Sequence, residues 1–338
     1  MRHFFVLGSV TVALAAMFST TGCAVAHDDD DDAESAVSEE LRKQCGTGRT
    51  TPGLDVSYFQ GNIDFAKVRA SGQRFVIART NDGNFIDPKF VSQFKQAKAA
   101  GLIVGAYYFH RAGLEHQSPG RQADIMLRQL AAAGYDPKTD LPPTVDVENA
   151  TFQSTPGQAT AARELQAVFD RIEKRTGRKA ILYTNASFES GINRTTFGQY
   201  PLWSAYYFNN GSAASNCPGI AATGAKTWTI WQHCKGEGGA GQCQRAVPGV
   251  NVGRPDQNVF NGSYADLVAF ARGDGKAPTT MTPPQMETCF SETLNRDVAE
   301  NTCVQSASDG KWYQCTDGGW ADRTLVAAKC VAEFPRKN

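Results

Sequence analysis

FNNGSAASNCPGIAATGAK, residues 208–226, joins two apolar runs, PLWSAYY from Pro201 and TWTIWQH from Thr227, and shows no helical period. CKGEGGAGQCQRAVPGVNVGRPD, residues 234–256, joins the second run to QNVF at Gln257 in the same way. Both joints are glycine-rich and both hold cysteines. Upstream the chain behaves differently. Runs suited to strands recur as GLDVS at Gly53, FVIART at Phe75, LIVGAYYF at Leu102, PPTVDVE at Pro142 and KAILYT at Lys179. Between them, IDFAKVRASG, PKFVSQFKQAKAAG, GRQADIMLRQLAAAG and QATAARELQAVFDRIEKRTG space apolar residues three and four apart and end in glycine. That is the pattern of amphipathic helices with glycine C-caps. SFESGIN, from Ser187, adds one short turn. Strands alternating with helices predict a parallel sheet, and eight strands of this length can close into a barrel. The helix-free joints make it an α/β barrel of about five β/α units followed by three loop-joined strands. The alternative, an open doubly wound sheet, lacks a G-x-G-x-x-G or Walker loop after an early strand.

The 338 residues suffice for one large domain or two smaller ones. Lys+Arg and Asp+Glu balance at 34 each, so charge gives no pull toward nucleic acid or an anionic membrane. Residues 1–26 read as a targeting segment: a basic MRH, then the apolar FFVLGSVTVALAAMF. Two processing signals compete there, the A-x-A of Ala24-Val25-Ala26 and a lipobox-like stretch ending on Cys23. Membrane attachment is expected only through a lipid on Cys23. Either route exports the chain to a compartment where disulfides persist, and eight cysteines remain after Cys23. Cys45 is positioned to staple the N-terminal arm to one of the loop cysteines, Cys217, Cys234 or Cys243; the pairing stays open. Residues 27–49, opening on HDDDDDAESAVSEE, read as an acidic tether. Residues 273–285 read as a linker, leaving a barrel over 50–272 and a small cysteine-rich module over 286–338.

Functional groups of a parallel β/α barrel gather at the C-terminal ends of its strands. Strand by strand those positions hold Asp55, Ser57 and Gln60; Arg79 and Asp82; Tyr107 and His110; Asp146 and Glu148; Tyr183 and Asn185; Trp203 and Tyr206; Trp231 and Gln232; and Asp256 before the last strand. Asp146 and Glu148 lie two apart in a strand, so both point the same way, and Val145 and Val147 face outward under the helices. An acid at a strand end often caps a helix or pairs with a cation. A cluster with aromatic neighbours is harder to account for in that way. Carboxylates beside aromatic platforms suit glycoside hydrolysis, in which one acid donates a proton and another stays charged; close acids push each other's pKa values apart and so create the two roles. No G-x-S-x-G or H-E-x-x-H is present. The histidines are scattered and no C-x-x-C occurs, so neither a metal nor a cofactor is expected.

From Gly53 to about Asn261 the chain resembles the family 25 glycoside hydrolases, the lysozymes of the Chalaropsis type. The resemblance lies in GLDVSYFQGNIDFAKVRASGQRFVIARTNDG, IDPKFVSQFKQAKAAGLIVGAYYFHR, the QAD at Gln122, LPPTVDVE, LYT, LWSAYY, IWQ and RPDQNVFNG, in that order. It implies a TIM-like (β/α)5(β)3 barrel. It also implies cleavage of the β-1,4 bond between N-acetylmuramic acid and N-acetylglucosamine in peptidoglycan; a monomer is expected. By position, Glu148 resembles the general acid. Asp146 would orient the acetamido group or stabilise developing positive charge, and Asp55 and Asp256 match the other acids. Arg79, Tyr107, Tyr183, Trp203, Tyr206, Trp231 and Gln232 are the expected substrate-binding residues. The last strand reads Asp-Gln-Asn, where the family often has Leu or Tyr in the middle, and Gln257 is expected to point away from the site. A chitinase-type barrel would require acids where Leu141 and Thr144 stand. A non-catalytic glycan-binding protein on the same barrel is the alternative from another class.

The segment from Glu287 holds Cys289, Cys303, Cys315 and Cys330, with Phe290, Trp312, Tyr313 and Trp320. Two internal disulfides are expected. Its tryptophans serve either as a glycan-binding surface or as the core of a tiny domain.

Overall fold

The computed structural model describes residues 42–43, 45–111, 119–148, 158–185, 197–208, 211–213, 217–220, 227–236, 241–273, 288–291, 293–294, 296–299, 302–316, 319–322 and 331–333. The targeting segment, most of the tether, SFESGIN, the linker beyond Gly273, and Cys23 and Cys330 lie outside them. Eight strands close a barrel: β1 Thr51–Val56, β2 Phe75–Asp82, β3 Ile103–Phe109, β4 Thr144–Asp146, β5 Ile181–Asn185, β6 Leu202–Ala205, β7 Ile230–Cys234 and β8 Asp256–Phe260. Neighbours pair in parallel from β1 round to β7. β8 alone runs antiparallel to both neighbours, β7 and β1, and closes the ring. Four helices sit where the periodicity places them: α1 Phe65–Ala70, α2 Phe90–Ala99, α3 Pro119–Ala133 and α4 Gln158–Thr176.

Strand alternation sorts the core into two layers. Val76, Ala78, Val104, Ala106, Tyr108, Val145, Val147 and Leu182 face outward and meet Phe90, Phe94, Met126, Leu130, Phe169 and Ile172 of the helices. Phe75, Ile77, Ile181, Tyr183, Trp203, Ile230 and Phe260 fill the interior. Leu267 and Ala271 join that interior from α5, Tyr264–Arg272, a helix the periodicity did not single out. Its start is a capping box, Ser263 and Asp266 bonding each other's backbone N–H.

Arg178, buried just before β5, ties α5 to the barrel. It donates to the carbonyls of Ala271 at 2.7 Å and Phe270 at 2.8 Å, and also to that of Pro137. A guanidinium supplies several donors in a fixed fork to the orphan carbonyls of a helix end. Arg178→Ala removes the side-chain donor from the buried Ala271 and Pro137 carbonyls, and is expected to cost roughly 2–4 kcal/mol, read as a fall in Tm without a change of fold by circular dichroism.

The N-terminal arm is more ordered than a tether over its last residues. Arg42 and Lys43 pair antiparallel with Ile220 and Gly219, and Cys45 is bonded to Cys217. The joint after β7 is closed by Cys234–Cys243. The described module has a hairpin, β9 Thr288–Ser291 with β10 Arg296–Ala299. It also has a four-stranded sheet of β11 Thr302–Gln305, β12 Trp312–Thr316, β13 Gly319–Asp322 and β14 Val331–Glu333. Cys289–Cys315 joins β9 to β12, and Cys303 is disulfide-bonded as well.

Candidate active site

β4 ends on Asp146, but the chain stays extended: Val147 N–H donates to the Tyr183 carbonyl at 3.0 Å. Val145 and Val147 are therefore sealed under the helices while Asp146 and Glu148 take the opposite side. β8 enters the barrel at the same end because it runs antiparallel, and its first residue, Asp256, is paired in register with Asp55 of β1. One strand order thus brings four acids to the mouth.

Asp55 Oδ2 accepts from Asn258 Nδ2 at 2.7 Å and from Gln232 Nε2 at 2.9 Å. Gln232 Nε2 also reaches Asp256 Oδ2 at 3.2 Å, so one amide bridges two carboxylates. Its own orientation is fixed by Tyr183, whose hydroxyl donates to Oε1 at 2.8 Å, and by the hydroxyl of Tyr207. Asp256 Oδ1 accepts from the Gly236 N–H. Only glycine fits there: a Cβ on Gly236 would lie 2.0 Å from the Arg254 carbonyl oxygen.

Burial and mutual repulsion set the proton affinities. Asp55 is pushed up to about 6 by burial, against the bonds from Asn258 and Gln232. Asp256 is pushed up to about 8 by burial and then by the charge of Asp55. Asp146 is raised well above the usual carboxylate range by burial and by the charges of Glu148 and Asp55. Glu148 is raised by burial too, opposed by its hydrogen bond with Asp146 and by Arg111. Asp146 and Glu148 are hydrogen-bonded to each other and so titrate as a pair, and Glu148 is the more exposed of the two. Tyr107 and Tyr183 are raised well above 10 by burial and stay protonated donors.

A cleft of about 560 Å³ opens beside Asp55 and Asp256, walled by Ser57, Phe59, Gln60, Arg79, Tyr107, Val252 and Arg254. Phe59 is 59 % exposed on its rim and stacks on Tyr58 at 4.2 Å. Arg79 lies under both rings, 5.3 and 5.4 Å from their centroids. It does not pair with any of the four acids; its partner is Asp87, at 3.2 Å. Arg111 is likewise engaged, by Asp82 through two bonds of 2.6 and 3.0 Å.

Tyr107, Tyr183 and Trp203 form one interior aromatic group, with Trp203 edge-on to Tyr183 at 4.8 Å and to Tyr107 at 6.2 Å. Trp203 is buried and donates from Nε1 to Asn258 Oδ1 at 2.8 Å. Two expected groove residues stand elsewhere. Tyr206 and Trp231 are on the outer face of the barrel, packed with Leu202, Trp228, Val259 and Phe208, and Trp231 Nε1 donates to the Tyr206 carbonyl at 2.7 Å. The reason is parity: Trp203 faces inward, so Tyr206, three residues on, faces outward, and Trp231 must oppose its inward neighbour Gln232. Tyr207 is the inward tyrosine. The alternation that aligned Asp146 with Glu148 also aligns Asn258 with Asp256, so Asn258 was legible. Gln257 turns away and donates to the Arg245 carbonyl at 2.9 Å. Arg111 carried no spacing signal beyond following the end of β3. His110 is buried on the outer face beside Tyr108, its Nδ1 3.1 Å from the Tyr108 hydroxyl.

Comparison with known proteins meets this geometry from another side. The family model for glycosyl hydrolases family 25 matches residues 54–241. Lysozyme M1 of Streptomyces globisporus is 32% identical over 226 residues, 65% of this chain and 70% of that protein. The N,O-diacetylmuramidase of Chalaropsis sp is 29% identical over 66% of this chain and all (100%) of its own length. The crystal structure of the bacterial lysozyme from Streptomyces coelicolor superposes with a TM-score of 0.54 at 26% identity, covering 67% of this chain and 98% of that one. The chain belongs to glycosyl hydrolases family 25.

Proposed function

We propose that the chain is an exported peptidoglycan hydrolase, a lysozyme that cleaves the β-1,4 bond between N-acetylmuramic acid and N-acetylglucosamine. The observation that carries this reading is the convergence of Asp55, Asp146, Glu148 and Asp256 on one barrel mouth, with their proton affinities raised by burial and by one another. Glu148 is the general acid. It shares its proton with Asp146 until the leaving oxygen arrives, and its greater exposure makes it the member that reaches substrate. Asp146, relieved of that proton, orients the acetamido group or balances positive charge developing at the sugar ring. Asp55, held by Asn258 and Gln232, adds negative potential, and Asp256 is set against it through Gln232. Arg79, Tyr107, Tyr183, Trp203 and Gln232 shape and orient the groove.

The same reading assigns residues 1–26 to export, 27–49 to a tether, 50–272 to the catalytic barrel, 273–285 to a linker and 286–338 to an accessory module. It takes the enzyme to be a monomer, with any membrane attachment made by a lipid on Cys23. Mass spectrometry of the mature N-terminus distinguishes a lipidated Cys23 from a chain beginning at His27. The function itself is tested by incubating purified mature protein with peptidoglycan. New reducing ends on N-acetylmuramic acid are expected; retention on the wall without any release, over several wall types, would leave only a glycan-binding role. On the rim, Phe59→Ala is expected to raise KM roughly three- to tenfold, the loss of one apolar contact face, with kcat nearly unchanged because an apolar ring takes no part in the acids' proton chemistry.

A further inference from the structure

The QAD of residues 122–124 divides its work between two places. Asp124 pairs with Arg171 and so ties α3 to α4. Gln122 is fully buried and turns to the chain just past β3. Its Oε1 accepts from the Arg111 N–H at 2.9 Å, and its Nε2 donates to the Arg111 carbonyl at 2.6 Å. One side-chain amide thus satisfies both backbone groups of one residue, as a neighbouring strand would. Gln122 is held in turn. Its carbonyl accepts from Asn81 Nδ2 at 3.2 Å, and the same nitrogen donates to the Gly83 carbonyl at 2.7 Å. A buried amide is therefore spent on fixing Arg111 after β3 has ended.

The side chain of Arg111 is fixed as well. Nε and Nη2 each bond one oxygen of Asp82, and Cζ lies 4.1 Å from the centroid of the Phe109 ring. The sheet register shows what this cation is held beside. Phe109 is level with Asp82 on one side and with Asp146 on the other. The ladder runs on, His110 N–H donating to the Asp146 carbonyl at 2.9 Å. Two residues past that level, Arg111 comes abreast of Glu148. Tyr108 and His110 take the outer face, so two-residue alternation sets Phe109 and Arg111 on the mouth side with Asp146 and Glu148. In strand order Arg111 stands between Asp82 and Glu148. Its ion pair is with Asp82, and its charge reaches Glu148 without a bond. Among the described groups whose charge acts on Glu148, Arg111 is the cation and Asp55 and Asp146 are acids. Asp256 and the hydroxyls of Tyr183 and Tyr207 lie in the same field.

We infer that Arg111, held by Gln122 and Asp82, is a positioning residue for the general acid: it faces the carboxylate that Glu148 becomes and eases the departure of its proton. That proton passes to the glycosidic oxygen as the C1–O bond breaks and leaves its electron pair there. Glu148 is then negative among other acids, and a fixed cation offsets the new charge at no cost of reorganisation. The step itself rests on the lysozyme reading above. A nearby cation favours carboxylate over carboxyl. Without Arg111, Glu148 keeps its proton to higher pH and gives it up less readily.

The test takes two readouts from the full mature chain. One is the pH profile of turnover on soluble, uncross-linked peptidoglycan strands. The other is the titration of the Glu148 carboxyl by carbon-13 NMR, its signal identified by its loss in Glu148→Gln. Arg111→Gln is expected to lower kcat about tenfold, and to move both the alkaline limb of the profile and the Glu148 titration to higher pH. Arg111→Lys keeps the charge without the fork; it returns limb and titration toward the parent, with kcat within about threefold. Gln122→Met keeps length but neither bond, and moves both readouts in the direction of Arg111→Gln. Arg111 is 30 % exposed, so its variants carry the test even if the buried Gln122 tolerates no change. A purely structural part for Arg111 would lower the rate evenly at every pH and leave the limb in place. That result overturns the proposal, as does an unmoved Glu148 titration in Arg111→Gln. If the parent releases no reducing ends while the titration still answers to Arg111, the lysozyme reading falls and the electrostatic link from Arg111 to Glu148 stands.

Discussion

Glu148→Gln is expected to reduce the release of reducing ends from peptidoglycan by about a thousandfold or more, at unchanged fold. General-acid catalysis contributes roughly 10²–10⁴ in rate, and glutamine keeps the shape of the side chain while holding no transferable proton. Asp146 cannot substitute for it. Asp146 is more deeply buried than Glu148, and its proton is directed at the Glu148 carboxyl. Binding of the variant to the wall should persist, so a loss of kcat with KM nearly unchanged is the diagnostic pattern. Intact turnover in Glu148→Gln would remove Glu148 from the role given to it here.

Asp55→Asn is expected to stabilise the protein while impairing it. Asp55 has an ordinary value of 3.8 in the unfolded chain and about 6 in the folded one. The folded state therefore binds the extra proton between these values, and stability falls as pH rises through that window. Above pH 6 the wild type carries the full cost of an ionised, buried carboxylate, about 2–3 kcal/mol at 1.36 kcal/mol per unit. The substituted amide avoids this cost, and its side-chain oxygen still accepts from Asn258 and Gln232. The variant's Tm should exceed the wild type's by roughly 5–10 °C at pH 8, and the gap should close near pH 4. Activity should drop about a hundredfold, because negative potential at the mouth is lost. Asp256 extends the same trend upward, since its folded value is about 8; the wild type is thus expected to lose stability steadily from about pH 4 to about pH 8. Equal pH profiles of Tm for the two chains would refute the assignment of this strain to Asp55.

The barrel was legible because its signals are local. Helical spacing within single segments places α1 to α4, and helix-free loops mark the change at β6. The antiparallel sense of β8 was not legible, because apolar alternation reads the same in both directions. α5 was missed although Ser263 and Asp266 form a capping box, since no strand follows it to suggest a β/α unit. Within the site, residue type misled where parity would have corrected it. Tyr206 and Trp231 suit a sugar groove chemically, yet each is an odd number of residues from an inward side chain. Arg79 finds Asp87 only when the turn after β2 folds back, and Arg111 finds Asp82 only through the register of β2 against β3, which sets Asp82 beside Phe109; no spacing along the chain encodes either meeting.

The pairing of β8 with β1 has a consequence for the order of folding. Asp55 and Asp256 are matched across the sheet, so the first strand of the barrel waits for the last. Until residue 260 has been made, that edge of β1 offers unpaired backbone groups to any passing chain. Helices and the early parallel pairs can gather before then, but ring closure spans some two hundred residues and is slow for that reason. The acids share this timetable. Gln232 can bridge Asp55 to Asp256 only after closure, so Asp256 joins the other acids last, and a chain cut short before β8 lacks both its charge and that bridge.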